Sequence, residues 1–267
     1  MNPRQACLAC LESDPPAVFE AALWVAAEHD AELQPEQALR DLASLQQRVA
    51  VALPQLPAKE LAQPLLRQLS ALDYHEDDDS PLRPQAALLH RVLQRRRGQP
   101  LSLALIALEL ARRLEIPLQG VNFPGYFLLR VPGADHLLDP SGGRRLYTRD
   151  CRDLLARQFG DAVQLSAAHL ATCDGQALLQ RLSRNLRQLH QQADDPLAAL
   201  KDAERVLQLG TPNVLDHLAR ADLYHLIDCP QGERYDLERA LLLSEDEAQR
   251  LVVSQRLRKM NRSSALH

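Results

Sequence analysis

Residues Leu101 to Leu114 are apolar on almost every side of a helix, broken only by Ser102, Glu109, Arg112 and Arg113. A helix without a polar face belongs in an interior, so this segment is expected to be a buried central helix with its neighbours packed around it. Glu115-Ile116-Pro117 stops it, because the residue before a proline is pushed out of the helical region. The 267 residues suffice for such a core and a second unit beside it.

Downstream of the central segment the chain reads as a small antiparallel sheet. Short extended runs are expected near Leu118 to Asn122 and Tyr126 to Val131, and Pro132-Gly133-Ala134-Asp135 is turn chemistry. His136 to Asp139 would return as the other arm, ended by Pro140 and Gly142-Gly143. Upstream the chain reads as helices. Asp14 is expected as the cap of a helix running toward Glu28, with Pro15 at its first position, and Pro35 repeats the device. Leu39, Leu42, Leu45 and Val49 share one helical face, and a third helix is expected from Ala58 to Leu72. The acidic run Glu76 to Asp79 reads as a solvated loop, and Ala86 to Arg97 as a helix capped by Gly98, with Arg95, Arg96 and Arg97 suiting its negative end.

Ten glycines and 4% aromatics, beside abundant Leu, Ala, Gln and Arg, favour a mostly helical chain. A net charge of −4 argues against nucleic acid and anionic membrane as partners. The longest apolar stretch, Leu103 to Ala111, is interrupted by Glu109, and residues Met1 to Cys10 lack the order of a secretory signal, so a cytoplasmic location is expected. The five cysteines are scattered, and Cys7 and Cys10 form a CxxC without a second pair or a nearby His. The histidines show no ligand spacing either, so neither metal nor cofactor is expected.

The C-terminal part carries an internal repeat. Asp202 to Leu209 aligns with Asp236 to Leu243 at five identities in eight, at an offset of 34 residues, which is the tetratricopeptide period. In the same register Leu189 falls on Leu223 and His190 on Tyr224, whereas the small Ala199 is answered by Glu233. Such helices are expected to present a groove to a protein or peptide, with Leu189, Tyr224, Asp202 and Asp236 as candidate partner-binding residues. Two repeats are fewer than a free-standing array needs, so they are expected to dock on the preceding domain.

The runs Arg97-Gly-Gln-Pro-Leu-Ser-Leu103, Ala111 to Pro117, Gly120-Val-Asn-Phe-Pro-Gly-Tyr-Phe-Leu-Leu-Arg130 and Leu138-Asp-Pro140 with Gly142-Gly143 closely resemble the bacterial SirB family. That family joins a transglutaminase-like domain to C-terminal tetratricopeptide repeats. The resemblance implies an α+β, predominantly α fold: a transglutaminase-like, papain-like core with a small antiparallel sheet on a buried central helix, then tetratricopeptide-like helices. The domains would be residues 1–80 (helical), 81–177 (core) and 178–267 (repeats).

Active members of the wider superfamily use a Cys-His-Asp set, with Cys at the start of the central helix. The resemblance puts Pro100 at the Cys position and Tyr126 at the His position, and only Asp139 matches. Proline offers neither nucleophile nor N–H, and a phenol is a poor base at neutral pH. Asp139 is then expected to accept hydrogen bonds at a strand end. Ser102 reads as a helix cap, Cys151 as an inert thiol, and His136, near Val131, stands several residues from Tyr126 along strands that rise about 3.3 Å per residue. Three functions compete: a non-catalytic interaction protein, a residual acyl-transfer or protease-like hydrolase using Ser102 or a recruited thiol with Asp139, and a small-ligand sensor with a pocket near Pro100, Tyr126 and Asp139.

Overall fold

The computed structural model describes the backbone of residues 2–264 and the side chains of residues 2–260. The chain divides into two compact units, residues 1–182 and 183–267. Residues 1–80, expected as a region of their own, share the first unit with the sheet, and the boundary falls five residues later than expected, between Leu182 and Ser183.

The first unit opens with α1 (Pro3–Glu12), α2 (Val18–Ala27), α3 (Pro35–Ala52) and α4 (Ala62–Ala71). Strand β1 (His75–Glu76), helix α5 (Leu89–Arg95) and strand β2 (Arg97–Gly98) lead into α6 (Pro100–Arg113). Four strands come next, β3 (Gln119–Val121), β4 (Leu128–Arg130), β5 (Leu137–Leu138) and β6 (Arg145–Leu146), and then α7 (Thr148–Phe159). They form one antiparallel sheet in sequence order, with Gly120 opposite Leu129 and Leu129 opposite Leu138.

Helix α6 is the centre of this unit. Every residue from Leu101 to Ala107 is buried, as are Leu110 and Ala111. Helices α2, α3, α4 and α5 and strands β1, β3 and β4 all pack on it. Leu42, Leu45 and Val49 give α3 its buried face. A separate cluster that includes Val121, Phe123, Leu128, Leu137, Leu146, Cys151 and Leu155 joins the sheet to α7.

Several local expectations are corrected. Asp14 does not cap α2, which begins at Val18: Ser13 organises the connection, its Oγ donating to the Cys10 carbonyl (2.7 Å) and accepting from the Ala17 N–H (3.2 Å). Gly98 does not cap α5, because Arg96 takes the left-handed position (φ 57°). Gly98 lies in β2, where a Cβ would come within 2.7 Å of Val92. The acidic run is not a plain solvated loop: His75 and Glu76 pair in parallel with Arg97 and Gly98, and Asp77 holds Arg95 at 2.6 Å. Helices α1 and α7 and strand β6 had no counterpart in the sequence pattern.

The second unit contains the end of α8 (Gly175–Gln192), then α9 (Pro196–Gln208), α10 (Val214–Leu226), α11 (Pro230–Leu243) and α12 (Glu247–Ser264). Its backbone repeats at the same 34-residue offset as the sequence. Asp194 and Asp228 both take φ 55°, Asp195 and Cys229 both cap at φ −111°, and Pro196 and Pro230 both open a helix. Two clusters hold it together: Ala199, Ala203 and Leu223, and Ala221, Leu237 and Val253.

Candidate functional site: the start of the central helix

Pro100 is the first residue of α6 and Gln99 its cap. Strand β2 delivers the chain there, held by β1 on one side and by the Gln99 N–H donating to the Ala86 carbonyl at 2.7 Å. The helix start is therefore built firmly, but its first position carries a ring with neither thiol nor N–H.

Ser102 is not the cap. With Pro100 opening the helix it sits a turn inside, fully buried, and its Oγ donates to the Ala87 carbonyl at 3.3 Å. Tyr126 comes after a tight turn closed by its own N–H donating to the Phe123 carbonyl (3.0 Å), with Gly125 at φ 75°. Its ring packs on the cluster shared by the sheet and α7, which contains no residue of α6.

Asp139 closes the end of β5. Its Oδ1 accepts from the Ser141 N–H at 2.8 Å, and its backbone bonds Arg144 and Gly143 across the Gly142-Gly143 loop. Burial pushes its carboxyl above the ordinary carboxylate range, against the Ser141 hydrogen bond and the Arg144 charge. The Glu76 carboxyl is also raised, by burial and then by Asp139, so the two acids share one local field.

Three of the thiols are held in surroundings that disfavour the thiolate. Cys151 is buried in the sheet–α7 cluster, and burial raises its pKa, as it does for Cys173 and Cys10. His136 lies beside Asp135 (2.9 Å) and faces the Tyr147 ring at 5.6 Å. One arrangement was invisible in the sequence: Ser70 Oγ stands 3.4 Å from His75 Nδ1, whose Nε2 is 3.6 Å from Asp73. Both spacings are long for hydrogen bonds, and Asp73 is exposed and engaged by Arg97 at 3.1 Å. This is a loose surface cluster, without the held geometry of a catalytic triad. A serine five residues before a histidine carried no recognisable signal.

A cavity of about 300 Å³ lies along the middle of α6. Phe19, Leu105, Leu108 and Leu118 wall it, and Glu109 lines it, bonded to Arg112 (2.8 Å) and Arg113 (2.7 Å). Neither Pro100 nor Tyr126 nor Asp139 lines it.

Of the expected partner-binding residues, three are interior. Leu189, Asp202 and Asp236 are buried, and the two acids serve as internal counter-charges. Asp202 accepts from His190 (2.7 Å) and Arg205 (2.8 Å), and Asp236 from His217 (2.8 Å) and Arg220 (2.7 Å). Tyr224 is half-buried, with the Arg220 guanidinium 5.6 Å from its ring centre.

Comparison with known proteins decides the lineage. A family profile described as the transglutaminase-like superfamily matches residues 36–184, more than half of the chain and nearly all of α3 to α7. The chain belongs to that superfamily. Within it, a UPF0162 protein of Pseudomonas aeruginosa is 60% identical over the whole of both chains. A UPF0162 protein of Xylella fastidiosa is 37% identical over 64% of this chain and 63% of its own. Protein SirB1 of Salmonella typhimurium is 28% identical over 64% of this chain and 67% of its own, in line with the SirB resemblance. No solved structure matches.

Proposed function

We propose that this transglutaminase-like chain is a non-catalytic interaction or regulatory protein. In this reading unit 1 is a folded platform, and the tetratricopeptide-like helices of unit 2 bind a partner protein. The observation that carries it is Pro100: the helix start that would activate a thiol has no nucleophile and one N–H fewer. The engagement of Asp139 by its own loop points the same way.

The reading places the protein in the cytoplasm, with a protein as partner in preference to nucleic acid or membrane. The net charge of −4 supports this, and among the described residues no helix is long and apolar enough to cross a membrane.

The test has two arms on the full chain. Purified protein is assayed for hydrolysis and acyl transfer on glutamine-containing peptides and on esters, and no turnover above buffer is expected. A photo-crosslinking residue is then placed in cells at Tyr235 in unit 2 or at Val51, 89% exposed in unit 1. A discrete adduct is expected from position 235 only. Turnover that disappears in Ser70→Ala, Ser102→Ala or a cysteine variant would overturn the reading, as would adducts from Val51 alone.

A further inference from the structure

Unit 2 has an open groove of about 420 Å³, formed by α9, α10 and α11. Its walls are Leu207, Pro212, Tyr235, Leu242 and Leu243, and its floor is His217 and Arg220. That volume lies in the range of small recognition pockets and admits about two large side chains. The walls are apolar yet open to solvent: Leu242 is 75% exposed, Tyr235 50% and Leu243 46%. Three large apolar side chains on one helix, left uncovered around a concavity, are a surface suited to another protein.

Charge says which kind of protein. Arg184 is paired with Asp216, Arg220 with Asp236, and Arg256 with Asp222 and Glu233. Arg239, at the rim, has no carboxylate partner among the described residues, and its guanidinium lies 5.4 Å from the centre of the Tyr235 ring. Stacking on the ring holds the guanidinium in place while leaving its N–H edge available for a carboxylate. The groove floor does not repel an acid, because the Asp236 carboxylate beneath it is already bonded by His217 and Arg220. A basic segment would meet the unpaired Arg239 here, and nucleic acid would find aliphatic walls and a single aromatic ring.

We propose that this groove binds a short acidic segment of a partner protein. A carboxylate meets Arg239, and a neighbouring aliphatic side chain enters between Tyr235, Leu242 and Leu243. Tyrosine and arginine are the residue types that carry most of the affinity at such contacts. The proposal rests on the interaction reading above and adds the chemistry of the partner.

The test uses the full chain and an end-blocked, fluorescein-labelled peptide of alternating Glu and Leu, with binding read by fluorescence anisotropy. Matched peptides with Gln or Lys in place of Glu serve as controls. The acidic peptide is expected to bind, with affinity falling as salt rises and the dissociation constant increasing about tenfold in Arg239→Glu, the scale of losing one interfacial charge contact. Leu242→Ser is expected to weaken binding as well, while Val51→Ser in unit 1 leaves it unchanged. Circular dichroism confirms that each variant is folded. Equal binding of the Gln or Lys peptide, wild-type affinity in Arg239→Glu, or no binding of the acidic peptide overturns the proposal. In any of these cases a crosslink from position 235 would leave the interaction reading standing, so the two failures are distinguishable.

Discussion

Asp139 is a carboxylate kept in a place that disfavours its charge. Because burial raises its pKa in the native state, the folded protein binds this proton more tightly than the unfolded chain does. Stability therefore falls as pH rises through the window between the unfolded value, about 3.9, and the raised native one. Asp139→Asn keeps an oxygen for the Ser141 N–H and removes the charge. Its thermal midpoint is expected to exceed that of the wild type at neutral pH and to converge with it below the window, as thermal melts at several pH values would show. The position of Asp139 at a strand end was legible from the proline and glycines behind it. The state of Ser102 was not: the cap lies three residues earlier, at Gln99, and that shift turns an expected cap into a buried donor.

Helices with a long apolar period were legible, and short elements fixed by pairing were not. The faces of α3 and α6 come from the spacing of their leucines, whereas β1 and β2 are two residues each and exist only because they pair with one another. The clue lay in charge, since the acidic run around Asp77 and the basic run around Arg95 are separate in sequence and joined in space. That junction also explains Gly98. Gly98→Ala would drive a Cβ to 2.7 Å from Val92 and 3.1 Å from the Ala86 carbonyl. The expected cost is about 1–3 kcal/mol, the scale of overpacking a filled core. Chemical denaturation measures it, and Val92→Ala in the same chain is expected to recover part of the loss by clearing the methyl groups.

At the scale of the whole molecule, the 34-residue offset read in the sequence reappears in unit 2, where prolines 34 residues apart open α9 and α11. It did not foretell that Asp202 and Asp236 are internal. The histidines that bind them occupy non-equivalent positions: His190 aligns with Tyr224, and His217 aligns with Ser183. Register therefore gave no warning that both acids are neutralised inside. Asp236→Ala would leave His217 and Arg220 without their shared carboxylate. The expected loss is about 3–5 kcal/mol, typical of breaking a buried ion pair from one side. Hydrogen exchange should show it as faster exchange in α10 and α11, with α6 protected as in the wild type.

Pro100 also has a consequence for folding. Its ring holds the backbone in the conformation a first helical residue needs, and so lowers the entropy the unfolded chain must surrender. Putting a cysteine there would give up about 0.4–1 kcal/mol of that preorganisation before any reactivity was gained. At this one position the demand for a well-formed helix start and the demand for a reactive side chain pull in opposite directions, and the fold already holds the first of them.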